Sequence, residues 1–445
     1  MKKHIILMLL SMIILSCPIS WAQQQSAVPS TDITILAKEF VELLAKEDFP
    51  SAVKRFDATM KTALPSEKLQ EAWKSITGQV GPFKRQVSTR IEKAGQYDIV
   101  FVTIEFEKSP LDVKVVFNNS QEIAGLSFVP VEYKAPAYVK PTSFQEKELM
   151  VGSGEWAVHG TLTIPYGEGP FPAVVLVHGS GPNDRDESIG PNKPFRDIAW
   201  GLASQGIAVL RYEKRTKEHA QKFVSVNTIT VKEETIDDVL SAVSILRKRE
   251  GIDSQRIFVL GHSLGGMLIP RIGLLDPDIA GFIVMAGTTR PLEDLILEQT
   301  SYIFSLDGVI SEEENTQIEK LKQQVAKIKD IKLSDEVSPE ELPLNLSAQY
   351  WLDLRGYNPA QTAKQLKQPM LILQGERDYQ VTMEDFQIWK NSLSSRKNVQ
   401  FKSYPKLNHL FIEGEGKITP NEYLTAGHVA EIMINDIANW IKKPH

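Results

Sequence analysis

The first part of the chain changes from a helical to a strand periodicity. Apolar residues three or four positions apart predict helices over about residues 32–47 and 66–76. An alternation of apolar and polar residues then predicts four strands separated by turns, at 79–93, 97–108, 111–118 and 122–129. Helices followed by an antiparallel sheet are typical of a small α+β domain, which we place at residues 27–130.

The pattern changes again after a proline-containing segment. Pro130, Pro136 and Pro141 predict a semi-rigid linker at residues 131–143. Within residues 144–445, eight strands are predicted, at 145–151, 155–164, 173–177, 207–211, 256–260, 281–286, 370–374 and 399–404. Apolar strands alternate here with helices, predicted at about 195–204, 233–250 and 428–441. This alternation indicates an α/β fold with a mostly parallel, doubly wound sheet.

Residues 290–365 depart from the alternation because they contain no predicted strand. Ser311 and Glu314 form a capping box at the start of a charged helix. A narrow apolar stripe follows at three- and four-residue steps: Ile318, Leu321, Val325, Ile328 and Ile331. An insertion at this point lies above the carboxyl ends of the strands, so we interpret it as a helical cap over a binding site. Ordinary extra packing explains most of its residues equally well.

The N-terminus has the pattern of a signal peptide, residues 1–22. Lys2 and Lys3 precede an apolar stretch at 5–15, and Ser20 and Ala22 are small residues at the positions that a signal peptidase recognises. The apolar stretch is short for a transmembrane helix. We therefore expect cleavage near Ala22, export to the periplasm or the extracellular space, and no stable membrane span afterwards. A retained N-terminal anchor is the alternative.

Cys17 is the only cysteine, and the expected cleavage removes it. The mature chain would then have no disulfide, no cysteine nucleophile and no cysteine metal ligand. Lipidation of Cys17 is a further alternative, which the bulky Leu15 fits poorly.

Composition restricts the class of protein. The 445 residues are too many for one typical domain, and 42% hydrophobic with 24% charged residues is ordinary for a soluble globular chain. The formal net charge is −6, and no strongly basic run is interleaved with aromatic residues. We therefore expect no nucleic-acid partner.

The most informative motif lies between a predicted strand and a predicted helix. Residues 259–266 read Val-Leu-Gly-His-Ser-Leu-Gly-Gly, a G-x-S-x-G match centred on Ser263. In that context the motif forms the nucleophile elbow of α/β hydrolases. The turn is so tight that Gly261 and Gly265 cannot carry side chains, and Gly266 gives further clearance. A glycine-rich turn without chemistry is the alternative.

A serine hydroxyl needs a base and a group that orients the base. In this fold the chain order is Ser, Asp or Glu, then His. Asp378 follows the strand at 370–374, and His409 follows the strand at 399–404. The sequence thus predicts Ser263, Asp378 and His409 as the catalytic triad. Glu376 is the nearest rival acid, and Asp385 falls on a predicted helix.

The other histidines fit the base less well, because they precede the elbow, adjoin it, lie on a predicted helix or end the chain: His159, His219, His262, His428 and His445. Two backbone N–H groups should bind the oxyanion. We predict Leu264, directly after the nucleophile, and Ser180 in the loop Val-His-Gly-Ser-Gly-Pro, with Gly181 as second choice. His178 is interpreted as a structural residue of that loop.

Residues 183–187, Asn-Asp-Arg-Asp-Glu, follow the oxyanion loop. A solvated, ion-paired loop is the first interpretation, and a polar-substrate or Ca²⁺ site is the alternative. The sequence has no H-E-x-x-H motif, no P-loop and no dinucleotide fingerprint, so we expect neither a metal nor a cofactor.

The motifs around Ser180, Ser263, Asp378 and His409 together resemble those of serine esterases of the α/β-hydrolase superfamily. They are most similar to exported bacterial carboxylesterases that carry a small N-terminal domain of unassigned function. The resemblance implies cleavage of small carboxylic esters, with a short acyl chain, through an acyl-enzyme. Peptide or acyl-thioester substrates of the same triad remain possible, as does a non-catalytic binding module of the cell envelope.

Overall fold

The computed structural model describes residues 32–107, 110–224 and 229–444. The predicted signal peptide and Cys17 lie outside these residues. Internal contacts divide the chain into two units, Met1–Tyr133 and Lys134–His445. Among the described residues, no helix is both long and apolar enough to cross a bilayer.

The first unit contains four helices before a sheet. The helices are α1 (Ile33–Ala45), α2 (Phe49–Lys54), α3 (Ala58–Ala63) and α4 (Ser66–Val80). The strands are β1 (Phe83–Ala94), β2 (Tyr97–Phe106), β3 (Leu111–Phe117) and β4 (Ile123–Pro130). They pair in chain order and all antiparallel, which gives the α+β layout expected from the sequence.

Three of the four helices of this unit start at aspartate caps. Asp32, Asp48 and Asp57 each accept a hydrogen bond from a backbone N–H of the first turn of α1, α2 or α3. Phe40 of α1 packs on Phe56 in the core of this unit, with 5.7 Å between ring centroids. The sequence did not predict α2 and α3, because six residues are too few to show a helical period.

The second unit has an eight-stranded sheet. Its strands are β5 (Phe144–Val151), β6 (Val158–Pro165), β7 (Phe171–Val177), β8 (Ala208–Tyr212), β9 (Ile252–His262), β10 (Gly281–Met285), β11 (Met370–Gly375) and β12 (Val399–Tyr404). The spatial order is β12-β11-β10-β9-β7-β8-β6-β5. Strands β7 to β12 are parallel to one another, whereas β6 is antiparallel to both of its neighbours, β5 and β8. The predicted mostly parallel sheet is confirmed.

Helices cover both faces of this sheet, since its central strands are apolar on both sides. They are α5 (Pro194–Ala203), α6 (Arg215–Glu218), α7 (Ala220–Val224), α8 (Asp237–Arg247), α9 (Leu264–Leu275), α10 (Leu292–Phe304), α11 (Glu312–Lys329), α12 (Ala348–Leu354), α13 (Pro359–Ala363), α14 (Met383–Leu393) and α15 (Glu431–Lys442). Helices α5 and α15 share one apolar core, while α8, α9 and α14 contribute to the other.

The predicted linker, 131–143, divides between the two units after Tyr133. Tyr138 packs with Trp200, and its hydroxyl donates to the Val429 carbonyl at 2.8 Å. Val139 is buried beside them. The second half of this segment is therefore held against the second unit by apolar contacts and by this hydrogen bond.

The insertion between β10 and β11 is helical and comprises α10 to α13. The capping box of Ser311 and Glu314 is present at the start of α11. Ile318 and Ile328 of the predicted stripe are buried, but Ile331 is 89% exposed because α11 ends at Lys329. Much of the insertion also contributes to the main core, as the fully buried Trp351 shows.

Candidate active site

Ser263 occupies a strained turn between β9 and α9. Its backbone angles are φ 52° and ψ −114°, a region that residues other than glycine rarely adopt. Its N–H donates to the Met285 carbonyl at 2.9 Å, which fixes the turn to the neighbouring strand β10. The side chain is partly exposed, whereas its neighbours His262 and Leu264 are buried. This is the geometry of a nucleophile elbow.

The glycines around Ser263 have no space for a side chain. A Cβ on Gly261 would lie 2.3 Å from the Gly265 carbonyl oxygen, and one on Gly265 would lie 2.4 Å from the carbonyl oxygen of Val177. A Cβ on Gly266 would lie 2.8 Å from the Cα of Gly287. The close approach that the sequence pattern implied is therefore present at all three positions.

Asp378 and His409 form a buried pair on the loops that follow β11 and β12. His409 Nδ1 lies 2.6 Å from Asp378 Oδ2. The other carboxylate oxygen of Asp378 accepts hydrogen bonds from the backbone N–H groups of Gln380 and Val381, at 2.7 and 3.0 Å. Because the carboxylate accepts the Nδ1 proton, the neutral imidazole keeps Nε2 as its proton acceptor.

The loop that carries His409 is held by its neighbour. The Asn408 side-chain oxygen accepts hydrogen bonds from the N–H groups of Leu410 and Ile412, at 3.0 and 3.1 Å. Its amide nitrogen donates to Glu422 at 3.0 Å. Asn408 is buried, so these bonds fix the backbone on both sides of the imidazole.

The elbow and the histidine loop meet at His262. The rings of His262 and His409 lie 4.5 Å apart, and His262 Nε2 lies 3.0 Å from the His409 carbonyl oxygen. Ser263 is the next residue along the chain. The structure thus brings Ser263, Asp378 and His409 to one edge of the sheet, at the carboxyl ends of β9, β11 and β12.

The rival acids have other partners. Glu376 is exposed and accepts a hydrogen bond from Ser403 at 2.7 Å. Asp385, at the start of α14, is buried against Arg290, with 2.8 Å between the charged groups. Neither carboxylate has a hydrogen bond to His409 among the described residues.

The rival histidines are likewise engaged elsewhere. His159 lies 2.9 Å from Glu218, and His219 lies 2.9 Å from the Ala157 carbonyl. His428 precedes α15 rather than lying on it, and it contacts Asp197 at 3.3 Å. His445 is outside the described residues.

The predicted oxyanion donors are on the residue directly after the nucleophile and on the loop whose Gly179 lies against it. Leu264 is the first residue of α9, so its N–H has no acceptor in a preceding helical turn. Gly179 is so close to Ser263 that a Cβ on the glycine would lie 3.1 Å from the serine Cβ. The Gly179 N–H already donates to Glu187 at 2.6 Å, which leaves the exposed Ser180 as the next donor in the loop.

His178 fixes the start of the oxyanion loop. Its Nε2 lies 3.0 Å from the Asp184 carbonyl oxygen. Burial lowers the pKa of His178 to about 4, so its ring is neutral near pH 7 and donates one proton to that carbonyl.

Residues 183–187 differ from the solvated loop that the sequence indicated. Asp186 and Glu187 are only 3% and 2% exposed. Asp186 pairs with Arg211 at 2.7 Å and with Arg196 at 2.6 Å. The expected ion pairing of this loop is present, but the expected solvation is wrong for Asp186 and Glu187, which are buried against their partners. Within the described parts of the chain, no group of three or more acidic, histidine or cysteine side chains could hold a metal ion.

The insertion reaches this region through side chains of α10, among them Gln299, which donates to the Gln380 carbonyl at 2.9 Å. Tyr302 of α10 stacks on Tyr379, directly after Asp378, with 4.9 Å between ring centroids. Both tyrosines line an open cavity of about 450 Å³ together with the buried Ile418. The predicted cap therefore contacts the acid loop here, while much of the insertion is packing.

Sequence reasoning missed Glu187 and His262 as partners. The carboxylate of Glu187 lies 2.9 Å from His262 Nδ1, and both side chains are buried. One signal was available in the sequence. A titratable residue, His262, lies between a buried apolar strand and a tight turn, where an apolar residue is the more common choice.

A strained serine between a parallel strand and a helix, beside a buried acid–histidine pair, defines the α/β-hydrolase class. Residues 170–415 match the family described as "Serine aminopeptidase, S33". The chain is 43% identical over 408 residues to Esterase EstD of Thermotoga maritima, covering 91% of this chain and 94% of that protein. The protein therefore belongs to this hydrolase family. Residues 37–126 match a second family, described as a protein of unknown function (DUF3887).

Solved structures with the same general architecture are more distant. Est1E from Butyrivibrio proteoclasticus is 15% identical, with a TM-score of 0.42, and the match covers 66% of this chain and 99% of that one. A puromycin-hydrolysing peptidase of Mycobacterium tuberculosis is 16% identical, with a TM-score of 0.41, over 81% of this chain and 47% of that one. The family assignment rests on the family match and on EstD.

Proposed function

We propose that this protein hydrolyses small carboxylic esters through an acyl-enzyme on Ser263. The observation that carries the proposal is the 2.6 Å pair of Asp378 and His409, which lies beside the elbow that presents Ser263. A base with its orienting carboxylate is what a serine hydroxyl needs to become a nucleophile.

In the proposed reaction, His409 Nε2 takes the hydroxyl proton while Ser263 Oγ attacks the ester carbonyl. The N–H groups of Leu264 and Ser180 bind the oxyanion that forms. Protonated His409 then gives its proton to the departing alcohol, and Asp378 stabilises the charged ring. Water repeats the sequence on the acyl-enzyme and releases the acid. No cofactor takes part.

The identity to EstD, whose name describes it as an esterase, supports an ester as the bond that is cleaved. We propose short-chain acyl groups for this chain. A peptide substrate of the same three residues is a second candidate, and the family description "Serine aminopeptidase, S33" supports it. We further propose that the protein is exported after removal of residues 1–22, on the basis of the N-terminal pattern alone.

Substitution of the nucleophile tests the proposal. Ser263→Ala should lower kcat on p-nitrophenyl butyrate by at least about 1000-fold, because binding and the oxyanion donors alone provide little turnover. Near-normal turnover by the variant would reject the assignment.

The wild-type protein should also be compared on an aminoacyl p-nitroanilide and an acyl-CoA. A higher kcat/KM on the anilide would favour the peptide candidate, and one on the acyl-CoA would favour a thioester.

A further inference from the structure

A buried carboxylate joins the two loops between which the reaction is proposed to occur. Glu187 is 2% exposed and adopts a positive φ of 51°. Its Oε1 accepts the Gly179 N–H at 2.6 Å, and its Oε2 lies 2.9 Å from His262 Nδ1. One side chain therefore fixes the oxyanion loop and also contacts the residue before the nucleophile.

His262 extends this connection to the proposed base. Its Nδ1 faces the Glu187 carboxylate and its Nε2 faces the His409 carbonyl oxygen at 3.0 Å. A backbone carbonyl only accepts hydrogen bonds, so Nε2 must carry a proton. Burial by itself lowers the pKa of His262, but the Glu187 carboxylate, with smaller contributions from the His409 carbonyl and the Asp378 carboxylate, raises that pKa above its ordinary value of 6.5. A charged His262 donates to both partners.

The other side of the oxyanion loop is held in a similar way. The ammonium of Lys214 donates to the Gly179 carbonyl at 2.7 Å and pairs with Glu234 at the same distance. Tyr350 of the insertion donates to Glu234 at 2.7 Å. Gly179 is thus fixed through its N–H by Glu187 and through its carbonyl by Lys214.

A buried ion pair is a poor way to gain stability, because desolvation of both charges cancels much of their attraction. An apolar pair of the same volume would hold the elbow at least as well. What an apolar pair lacks is directional bonding to both Gly179 and the His409 carbonyl. The contacts join residues that are 75 and 147 positions apart in the chain, so they determine the spacing between two separate loops.

On the basis of the proposed function, we propose that Glu187 and His262 are positioning residues that hold the oxyanion loop and His409 at one fixed separation around Ser263. Neither residue touches the reacting atoms. Their contribution is to keep the oxyanion donors and the base aligned, and a misplacement of about 1 Å costs on the order of 100-fold in rate.

The test compares Glu187→Gln and His262→Gln with a matched control, Asp197→Asn. Asp197 is also a fully buried carboxylate that contacts a histidine, His428, at 3.3 Å, but it has no hydrogen bond to either Gly179 or His409 among the described contacts. Reactive sites are first counted with a fluorophosphonate, and kcat and KM on p-nitrophenyl butyrate are then expressed per reactive site. This separates misaligned protein from unfolded protein.

We expect Glu187→Gln to lower kcat per reactive site about 100-fold and His262→Gln at least about 10-fold, with KM changed less than about threefold. Asp197→Asn should keep kcat per reactive site within about twofold. If Glu187→Gln does not fold, His262→Gln decides alone, since it keeps the Glu187 bond to Gly179.

An unchanged kcat per reactive site in His262→Gln would overturn the positioning role. If kcat per reactive site fell equally in Asp197→Asn, the effect would belong to any buried acid–histidine pair, which would also overturn the proposal. Failure of the proposed function has a different signature: Ser263→Ala would retain turnover, or the wild-type protein would not react with the fluorophosphonate.

Discussion

The two units of this chain differ in how many charged side chains they bury. In the described part of Met1–Tyr133, Asp112 is the one charged side chain that is buried, and the core is otherwise apolar. Lys134–His445 buries many charges, and several of them lie close to Ser263, including Glu187, Asp378 and Lys214. Burial of charge is costly unless each group is paired and hydrogen-bonded.

That difference indicates which unit contains the residues of the proposed reaction. The described core of the first unit is almost entirely apolar, whereas the second unit keeps many polar groups in its interior, and the pair of Asp378 and His409 is among them. Substitutions in the two units should therefore separate stability from turnover.

The largest expected effect is on the acid of the proposed triad. Asp378→Asn should lower kcat about 10⁴-fold, because an amide favours the wrong tautomer of His409. Kinetics on p-nitrophenyl butyrate measure it. Glu376→Gln is the control, since this exposed carboxylate lies two residues away and contacts Ser403 instead. A large fall in Glu376→Gln with normal Asp378→Asn turnover would exchange the two roles.

A substitution in the core of the first unit should lower stability without lowering turnover. Phe40→Ala removes a fully buried ring that packs on Phe56, and it should lower the free energy of unfolding of that unit by about 4 kcal/mol. Ile35→Ala, at a site 49% exposed on the same helix, should cost less than about 0.5 kcal/mol. Calorimetry measures both. Ester turnover should stay unchanged in each, and a fall would show that the first unit supports the active site.

Within the second unit, the backbone rather than the side chain should matter at Ser180. Ser180→Pro removes the N–H of the proposed oxyanion donor and should lower kcat about 300-fold. Ser180→Ala keeps the N–H and should change kcat less than about twofold. Equal loss in the two variants would assign the effect to the hydroxyl or to the shape of the loop.

The pair of Glu187 and His262 should also leave a pH signature. Burial by itself raises the pKa of Glu187, but charged His262 and the hydrogen bonds that Glu187 accepts lower this pKa below 4.5. The contribution of Glu187 to stability is therefore lost as pH falls through the lowered pKa. The pKa of His262 is raised above 6.5, so its contribution is complete below 6.5 and is lost as pH rises through the raised value.

The difference in free energy of unfolding between wild type and Glu187→Gln should therefore be largest between pH 4.5 and 6.5, at about 3 kcal/mol, and should decrease on either side. Denaturant titrations across pH measure this difference. Other charged groups lie nearby, namely Asp378, His409, His178, Lys214 and Asp184, and because both proteins contain them, the comparison at each pH isolates the effect of Glu187. A difference independent of pH would contradict an ion pair.

Much of the architecture could be predicted because its signals are local. All eight strands of the large sheet are predicted, the central ones from apolar runs, and Asp378 and His409 follow from their positions after two of the strands. The elbow glycines follow from sterics within a few residues. The stripe on α11 was extended one step too far to Ile331, because a period does not show where a helix ends.

The contacts of Glu187 could not be predicted in the same way. Its bond to His262 joins a loop to the end of β9, which no local pattern relates to that loop, and the polar run 183–187 has the composition of an exposed loop. Burial of that run depends on partners from distant parts of the chain, such as Arg211 on β8. Only the folded arrangement shows which charges are paired.

Reaction with a fluorophosphonate, followed by peptide mapping, identifies the nucleophile of this protein. We expect one phosphonate adduct, on the peptide that contains Ser263, and labelling that is strongly reduced in His409→Gln and absent in Ser263→Ala. An adduct on another residue, or esterase activity that persists without any adduct on Ser263, would contradict this expectation.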